Sequence, residues 1–260
     1  MKWLRFRHAG KVGFGVLDGA TGDRVAVHEG DMFGENRATG EMLDVATIEW
    51  LTPSVPGTLI CIWNNFHAAA EKNGWAIPPE PLYLLKGTNA HCAHRQPIMA
   101  PTSYDGRVVY EGELAIVIGR IAKNVSEADA PAHIFGYSCA NDVTALEIIQ
   151  RDPSFQQWVR AKSFDTFGVF GPVIETDFNP DGAELVTLLN GRERQRYPLA
   201  DMIVKPAQLV SRISRDMTLS PGDVIMCGTS LGVMPMKPGS SVEVVIEGIG
   251  TLNNEYRAAG

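Results

Sequence analysis

The segment from Arg107 to Arg120, RVVYEGELAIVIGR, is dense in β-branched residues and predicts one long strand. Side chains alternate across a strand, so Glu111, Glu113, Ala115 and Val117 share one face, and Gly112, Leu114, Ile116 and Ile118 the other. Apolar residues on both faces imply a strand buried between layers. Two carboxylates side by side in such a place repel each other and are poorly hydrated, so they need a cation or a proton. The alternative is an exposed strand end with both glutamates solvated.

Outward from this strand, Ile134 to Ala140 reads as a second buried strand, and Val143 to Gln150 as a helix capped by Thr144 and Glu147. Asp142 sits at their junction. Either it caps that helix, or Thr144 does so and leaves Asp142 beside the glutamates. Glu111, Glu113 and Asp142 form a hard, all-oxygen ligand set that suits Mg²⁺ or Mn²⁺ with positions left for water and substrate. Lys162, in Ala-Lys-Ser-Phe-Asp165, is a surface lysine taken alone; beside three carboxylates it balances charge and holds a substrate oxygen.

The rest of the chain is expected to be mostly strands. They span Thr58 to Trp63, Leu82 to Lys86, Pro172 to Glu175, Glu184 to Leu189, Val224 to Cys227 and Ser241 to Glu247. Asn64 to Asn73 is helix-prone and stops at Gly74; Pro206 to Arg215 is a helix with Pro at its start; Ser126 and Asp129 fit a capping box. Before Pro53-Ser-Val-Pro-Gly57, strands at Lys2 to Arg7, Val12 to Leu17 and Arg24 to His28, a turn at Asp18–Asp23 and a short helix over Glu41 to Leu51 make a small β unit. The expected organisation is β-rich α+β, with an N-terminal unit over 1–55 and a main domain over 56–260. The 26 Gly and 16 Pro, about one residue in six, agree with many turns.

Composition excludes several function classes. The formal charge of −7 argues against nucleic acid or an anionic membrane as partner, though not against a small anionic substrate. No run of about 18 apolar residues marks a membrane span, the N-terminus has no signal-peptide pattern, and the default compartment is the cytosol. Cys61, Cys92, Cys139 and Cys227 are too scattered for a disulfide framework or a zinc ribbon. The glycines at 10, 13 and 15 read as a turn, there is no P-loop, and His91 and His94 have no third ligand nearby. Gly228-Thr-Ser230-Leu-Gly232 matches the nucleophile-elbow pattern, but prolines rather than a helix follow it, and no histidine follows Ser230.

Several motifs then resemble one family. They are Tyr110-Glu-x-Glu-Leu-Ala-x-Val-Ile-Gly-Arg120, Asn124-Val-Ser-Glu, Gly136-Tyr-x-x-Ala-Asn-Asp-Val-Thr-Ala, Lys162-Ser-Phe-Asp-Thr-Phe, Leu219-x-Pro-Gly-Asp-Val-Ile-x-x-Gly-Thr229 and the closing run from Gly239 to Leu252. Together they resemble the fumarylacetoacetate hydrolase family over about residues 58–253. The first 55 residues resemble the small domain that precedes the catalytic domain in many bacterial members. The resemblance implies a rolled-up mixed sheet, a homodimer, and one divalent metal per subunit on Glu111, Glu113 and Asp142, with Lys162 lining the site. It implies a small anionic keto acid as substrate, with Asn65 and Thr229 as candidate binding residues. The reaction expected is hydrolysis of a C–C bond in an acylpyruvate of the maleylpyruvate or fumarylpyruvate type, in aromatic catabolism. The alternative is isomerisation or decarboxylation of a 2-hydroxymuconate-type diacid on the same metal site.

Two departures from the family pattern bear on that choice. Hydrolytic members often carry Asn-Tyr-x-x-His-x-x-Glu on a lid helix; this chain has Asn65-Phe-His67-Ala-Ala-Ala-Glu71-Lys72. An ungapped match puts Ala69 at the His position and Lys72 at the Glu position. His67 and Glu71 are four apart and share a helix face, but His67 lies two residues early, about 200° around the helix. Either His67, oriented by Glu71, activates water from a differently docked lid, or the pair is missing. Leu146 stands where members often have Arg, which makes Arg151 the candidate for the substrate carboxylate.

Overall fold

The computed structural model describes residues 1–18 and 22–259. In chain order the strands are β1 Lys2–His8, β2 Lys11–Leu17, β3 Arg24–Gly30, β4 Asn36–Asp44, β5 Glu49–Trp50, β6 Leu59–Trp63, β7 Leu82–Lys86, β8 His91–Cys92, β9 Ile98–Met99 and β10 Val108–Val109. They continue as β11 Gly112–Ile118, β12 Ile134–Asp142, β13 Thr144–Ala145, β14 Gly168–Glu175, β15 Glu184–Leu189, β16 Arg192–Pro198, β17 Val224–Met226, β18 Ser240–Ile246 and β19 Gly250–Arg257. The helices are α1 His67–Asn73, α2 Trp158–Lys162 and α3 Pro206–Asp216. No described helix is long and apolar enough to cross a membrane.

The large sheet runs β4-β3-β2-β1-β14-β12-β11-β17-β6-β7, with β5 on β1 and β8 on β14. It is mixed, because β17 pairs parallel to β6 and β8 parallel to β14. A second sheet, β16-β15-β18-β19-β9, packs against β11, β12 and β14. The expected boundary near residue 55 does not interrupt the large sheet: β1 pairs with β14, matching Lys2 to Glu175 and Trp3 to Ile174.

Strand β11 is buried along its whole length, on both faces. Leu114, Ile116 and Ile118 join the core shared with Leu185, Val244 and Ile246 of the second sheet. Ala115 and Val117 pack on the opposite face with Cys61, Val224 and Met226. This is the layered burial that its sequence implies. All four cysteines are free and buried, as small hydrophobes.

Three expectations are corrected. Glu41 to Leu51 is not helical: β4 pairs with β3 in register (Val25 to Leu43, Ala26 to Met42), and a short 3₁₀ turn at Val45–Thr47 leads into β5. Pairing with a neighbouring strand overrides a weak local helix preference. Arg107 to Arg120 is not one strand but two, broken at Tyr110 and Glu111, because Val108 and Val109 pair with β13 while Gly112 onward pairs with β12. Val143 to Gln150 is not a helix either, and Thr144 caps nothing: β13 is followed by a 3₁₀ turn at Leu146–Ile148, and the Thr144 hydroxyl donates to Glu111 Oε1 (3.0 Å) and to the Asp142 carbonyl (2.9 Å). Ser126 and Asp129 close a turn before a 3₁₀ helix at Ala130–His133. The turn expected at Asp18–Asp23 lies largely outside the described residues.

Candidate active site

The break before β11 builds the site. Glu111 leaves the ladder, and its backbone N–H donates to Asn141 Oδ1 at 2.9 Å. The Asp142 N–H donates to the Glu111 carbonyl at 2.9 Å, which sets the last residue of β12 beside the first glutamate. Only glycine fits between the two glutamates: a Cβ on Gly112 would stand 2.1 Å from Thr187 Oγ1. Carboxylate oxygens of Glu111, Glu113 and Asp142 converge to within 4.8 Å of one another.

Two lysines face these three carboxylates. Lys162, the last residue of α2, donates to Glu111 Oε2 at 2.9 Å and to Asp142 Oδ2. Lys86, the last residue of β7, is buried and donates to the carbonyls of Val143 (3.0 Å), Lys162 (2.7 Å) and Phe167 (2.7 Å). Its Nζ also lies 2.6 Å from Asp142 Oδ1. An ammonium has three protons, and all are spent on carbonyls, so Asp142 Oδ1 gains an ion pair but no hydrogen bond of its own. The two ammonium groups leave the cluster one formal positive charge short of balance.

The field sorts the acids. Burial pushes Glu113 well above the usual carboxylate range, and the charges of Asp142 and Glu111 push it further. Burial also raises Glu111, with Lys162 pulling back and Asp142 adding to the rise. Burial works against an ionised Asp142 too, but Lys162 and Lys86 outweigh it and hold Asp142 below its ordinary value. Burial would lower Lys162; Asp142 and Glu111 reverse this and raise it.

The donor set fits a divalent cation. Glu113 Oε2 accepts from the Gly228 N–H at 2.6 Å, whereas Glu113 Oε1 is buried with no partner, a costly arrangement unless something binds it. All the converging atoms are carboxylate oxygens, the ligands a hard cation prefers.

A cleft of about 1780 Å³ opens over Glu111 and Lys162 and is lined also by Trp63, Ala69, Asn73, Trp158 and Thr229. Thr229 Oγ1 donates to the Gly112 carbonyl at 2.8 Å and accepts from Gln195 Nε2 at 2.9 Å. The other expected substrate ligands are placed elsewhere. Asn65 is buried, donates to the carbonyls of Val204 and Cys227 and accepts from the Val204 N–H, so it joins loops and has no face on the cleft. Arg151 stands over the Tyr104 ring, 5.9 Å from its centroid, away from the cleft lining.

Helix α1 forms where expected and ends in Gly74 at φ +67°, a left-handed stop. It turns Ala69 and Ala70 inward, while His67 and Glu71 are exposed and neither lines the cleft. The face directed at the site thus carries Ala69, not His67. Ser230 is buried, its hydroxyl unpartnered, and no helix follows β17 as an elbow requires. His94 packs edge-on to Trp50 and accepts the Asn253 N–H at 3.1 Å, a structural place far from a ligand's.

Sequence reading missed Lys86, Gln195 and Tyr197. Gln195 Oε1 accepts the Gly112 N–H at 3.1 Å, and the Tyr197 hydroxyl donates to the Gly112 carbonyl, so β16 clamps the peptide between the two glutamates. For Lys86 the one signal is a lone lysine closing the apolar strand LYLLK.

Residues 58–257 match the family described as fumarylacetoacetate (FAA) hydrolase, C-terminal, and residues 1–53 match Rv2993c-like, N-terminal. Protein Rv2993c of Mycobacterium tuberculosis is 38% identical over 94% of this chain and 93% of its own. A 4-hydroxyphenylacetate degradation bifunctional isomerase/decarboxylase of Salmonella dublin is 33% identical over 94% of this chain and 59% of its own. Among solved structures, a 5-carboxymethyl-2-hydroxymuconate delta-isomerase from Mycobacterium smegmatis is 37% identical with a TM-score of 0.91, covering 99% of this chain and 100% of that one.

Proposed function

The chain belongs to the fumarylacetoacetate hydrolase family, and on that footing we propose that it is a divalent-metal-dependent isomerase of 2-hydroxydienoate or enol-form 2-oxo acids. It interconverts enol and keto forms and is suited to decarboxylation on the same site. In this reading Glu111, Glu113 and Asp142 hold Mg²⁺ or Mn²⁺. The observation that carries it is the helix face toward the cleft: Ala69 stands where a water-activating histidine would, and His67 and Glu71 point to solvent. Hydrolysis needs a base within hydrogen-bond reach of its water; tautomerisation consumes no water and needs only that the proton leaving the enol oxygen be matched by one arriving at carbon. The isomerase activities named for the Salmonella and M. smegmatis relatives support the same choice.

A bound divalent cation supplies a Lewis acid that withdraws charge from the oxygens of a 2-oxo acid. The chain's own groups do the rest. Lys162, kept protonated by Asp142 and Glu111, holds a proton at Nζ over the cleft, where it donates to the oxygen that carries the enolate charge. Lys86 fixes Asp142 and the end of α2 from beneath. Trp63 and Ala69 present apolar surface to the cleft beside the acidic cluster.

The test is to give the Mn²⁺-loaded protein the enol form of a 2-oxo acid and, separately, maleylpyruvate. The proposal expects metal-dependent loss of the enol absorbance with the first and no pyruvate from the second. Pyruvate release with no enol conversion would replace it with the hydrolase reading.

A further inference from the structure

The cleft is larger than the reaction needs. Ligand sites commonly run roughly 300–1,000 Å³, and this one holds about 1780 Å³. The space beyond Glu111 and Lys162 is walled by three indoles. Trp63 ends β6, Trp75 follows the Gly74 stop of α1, and Trp158 opens α2. The Trp63 ring lies 5.0 Å from that of Trp75 and 5.7 Å from that of Trp158, centroid to centroid. Trp158 and Lys162 are four residues apart on one helix and so share a face of it.

The Trp158 N–H is already satisfied by Gln156 Oε1 at 2.8 Å. Leu146 and Phe155 extend the apolar lining, and Phe155 is 69% exposed. Large aromatic surface facing water beside a catalytic cluster is surface that a ligand can cover. The cleft's cations argue against a cationic occupant. Arg107 is paired to Glu147 through its Nε, and Lys162 to Glu111 and Asp142, so neither stands as an unpaired cation at the aromatic wall. Arg160, also in the lining, is two residues from Trp158, about 200° around the helix from the wall.

From this we infer that the substrate carries an uncharged aryl or other bulky apolar group at the end distal to its 2-oxo acid, seated against Trp63, Trp75 and Trp158. The inference rests on the isomerase reading for its chemistry but not for its geometry.

Selectivity and binding test the two separately. With Mn²⁺-loaded protein, kcat/KM for enol–keto conversion of phenylpyruvate should exceed that for oxaloacetate by about tenfold or more, and Trp158→Ala and Trp75→Ala should each cut that ratio about tenfold, through KM. Phenylglyoxylate has no enolisable C–H and cannot turn over. In calorimetry it should bind about tenfold tighter than pyruvate, and Trp158→Ala should remove the difference. Preference for oxaloacetate, lowered by Arg160→Ala, would overturn the inference by showing a distal carboxylate on that arginine. Equal binding of phenylglyoxylate and pyruvate would overturn it as well, leaving the reaction intact. Tight phenylglyoxylate binding with no conversion of either substrate would uphold the wall and sink the isomerase reading.

Discussion

Replacing Lys86 with Met asks how much of the site is held by one buried ammonium. Lys86 has no solvent-exposed side-chain surface and binds three carbonyls from separate segments, at Val143, Lys162 and Phe167, while lying 2.6 Å from Asp142 Oδ1. Lys86→Met keeps most of the volume and deletes the charge. Three buried carbonyls then lose a donor, at about 1–3 kcal/mol each. Not having to desolvate an ammonium returns several kcal/mol. The balance matches the loss known for removing one partner of a buried pair, about 3–5 kcal/mol. That is a large share of a typical domain's stability of about 5–15 kcal/mol. Urea unfolding followed by tryptophan fluorescence, in EDTA, reads it as a drop in midpoint at constant slope. Lys72→Met, an exposed lysine on α1, is the control and should shift stability by less than about 0.5 kcal/mol. A loss below about 1 kcal/mol for Lys86→Met would refute the view that this ammonium ties the site together.

Three further outcomes follow from the geometry. Lys162→Met should lower enol conversion by about 100-fold or more, as loss of a preorganised donor does, whereas His67→Ala and Glu71→Gln, on the solvent face of α1, should stay within about twofold in the same absorbance assay. Gln195→Leu strips the Gly112 N–H of its partner and removes the bond that Thr229 Oγ1 accepts; it should cost about 1–3 kcal/mol, read by urea unfolding, with a rise in KM as the Thr229 loop loosens. His94 supplies a pH dependence: burial and the nearby Arg95 push it from 6.5 down to about 4. The folded state binds fewer protons than the unfolded one in that window, so this contribution is complete above about pH 6.5 and is lost as pH falls toward 4. Between pH 7 and 5 the wild type should therefore lose about 2 kcal/mol more than His94→Asn; equal losses would contradict the assignment.

Residues that make their own case were legible. The β-branched run of β11 and the mostly uncharged run of β12 declare buried strands, and two glutamates two apart plus an aspartate declare a hard-cation set. What escaped depends on partners distant in sequence. Nothing local reveals that Glu111 leaves its strand to bond Asn141, or that the Thr144 hydroxyl serves Glu111 rather than a helix end. Strand β16 reads RERQRYP, and its meaning lies in Gln195 and Tyr197, whose burial appears only once the second sheet closes on Gly112. Helix α1 was predictable from its alanines and Gly74, but its orientation was not. The heptapeptide HAAAEKN has alanines on more than one face, and packing selects Ala69 and Ala70.

The account stands most directly on cation binding by the three carboxylates. Titrating Mn²⁺ into the metal-free protein by calorimetry should show one site per chain, and Glu113→Gln, which neutralises the buried acid whose Oε1 has no partner, should weaken it by about 100-fold or more. Unchanged Mn²⁺ affinity in Glu113→Gln would contradict the account.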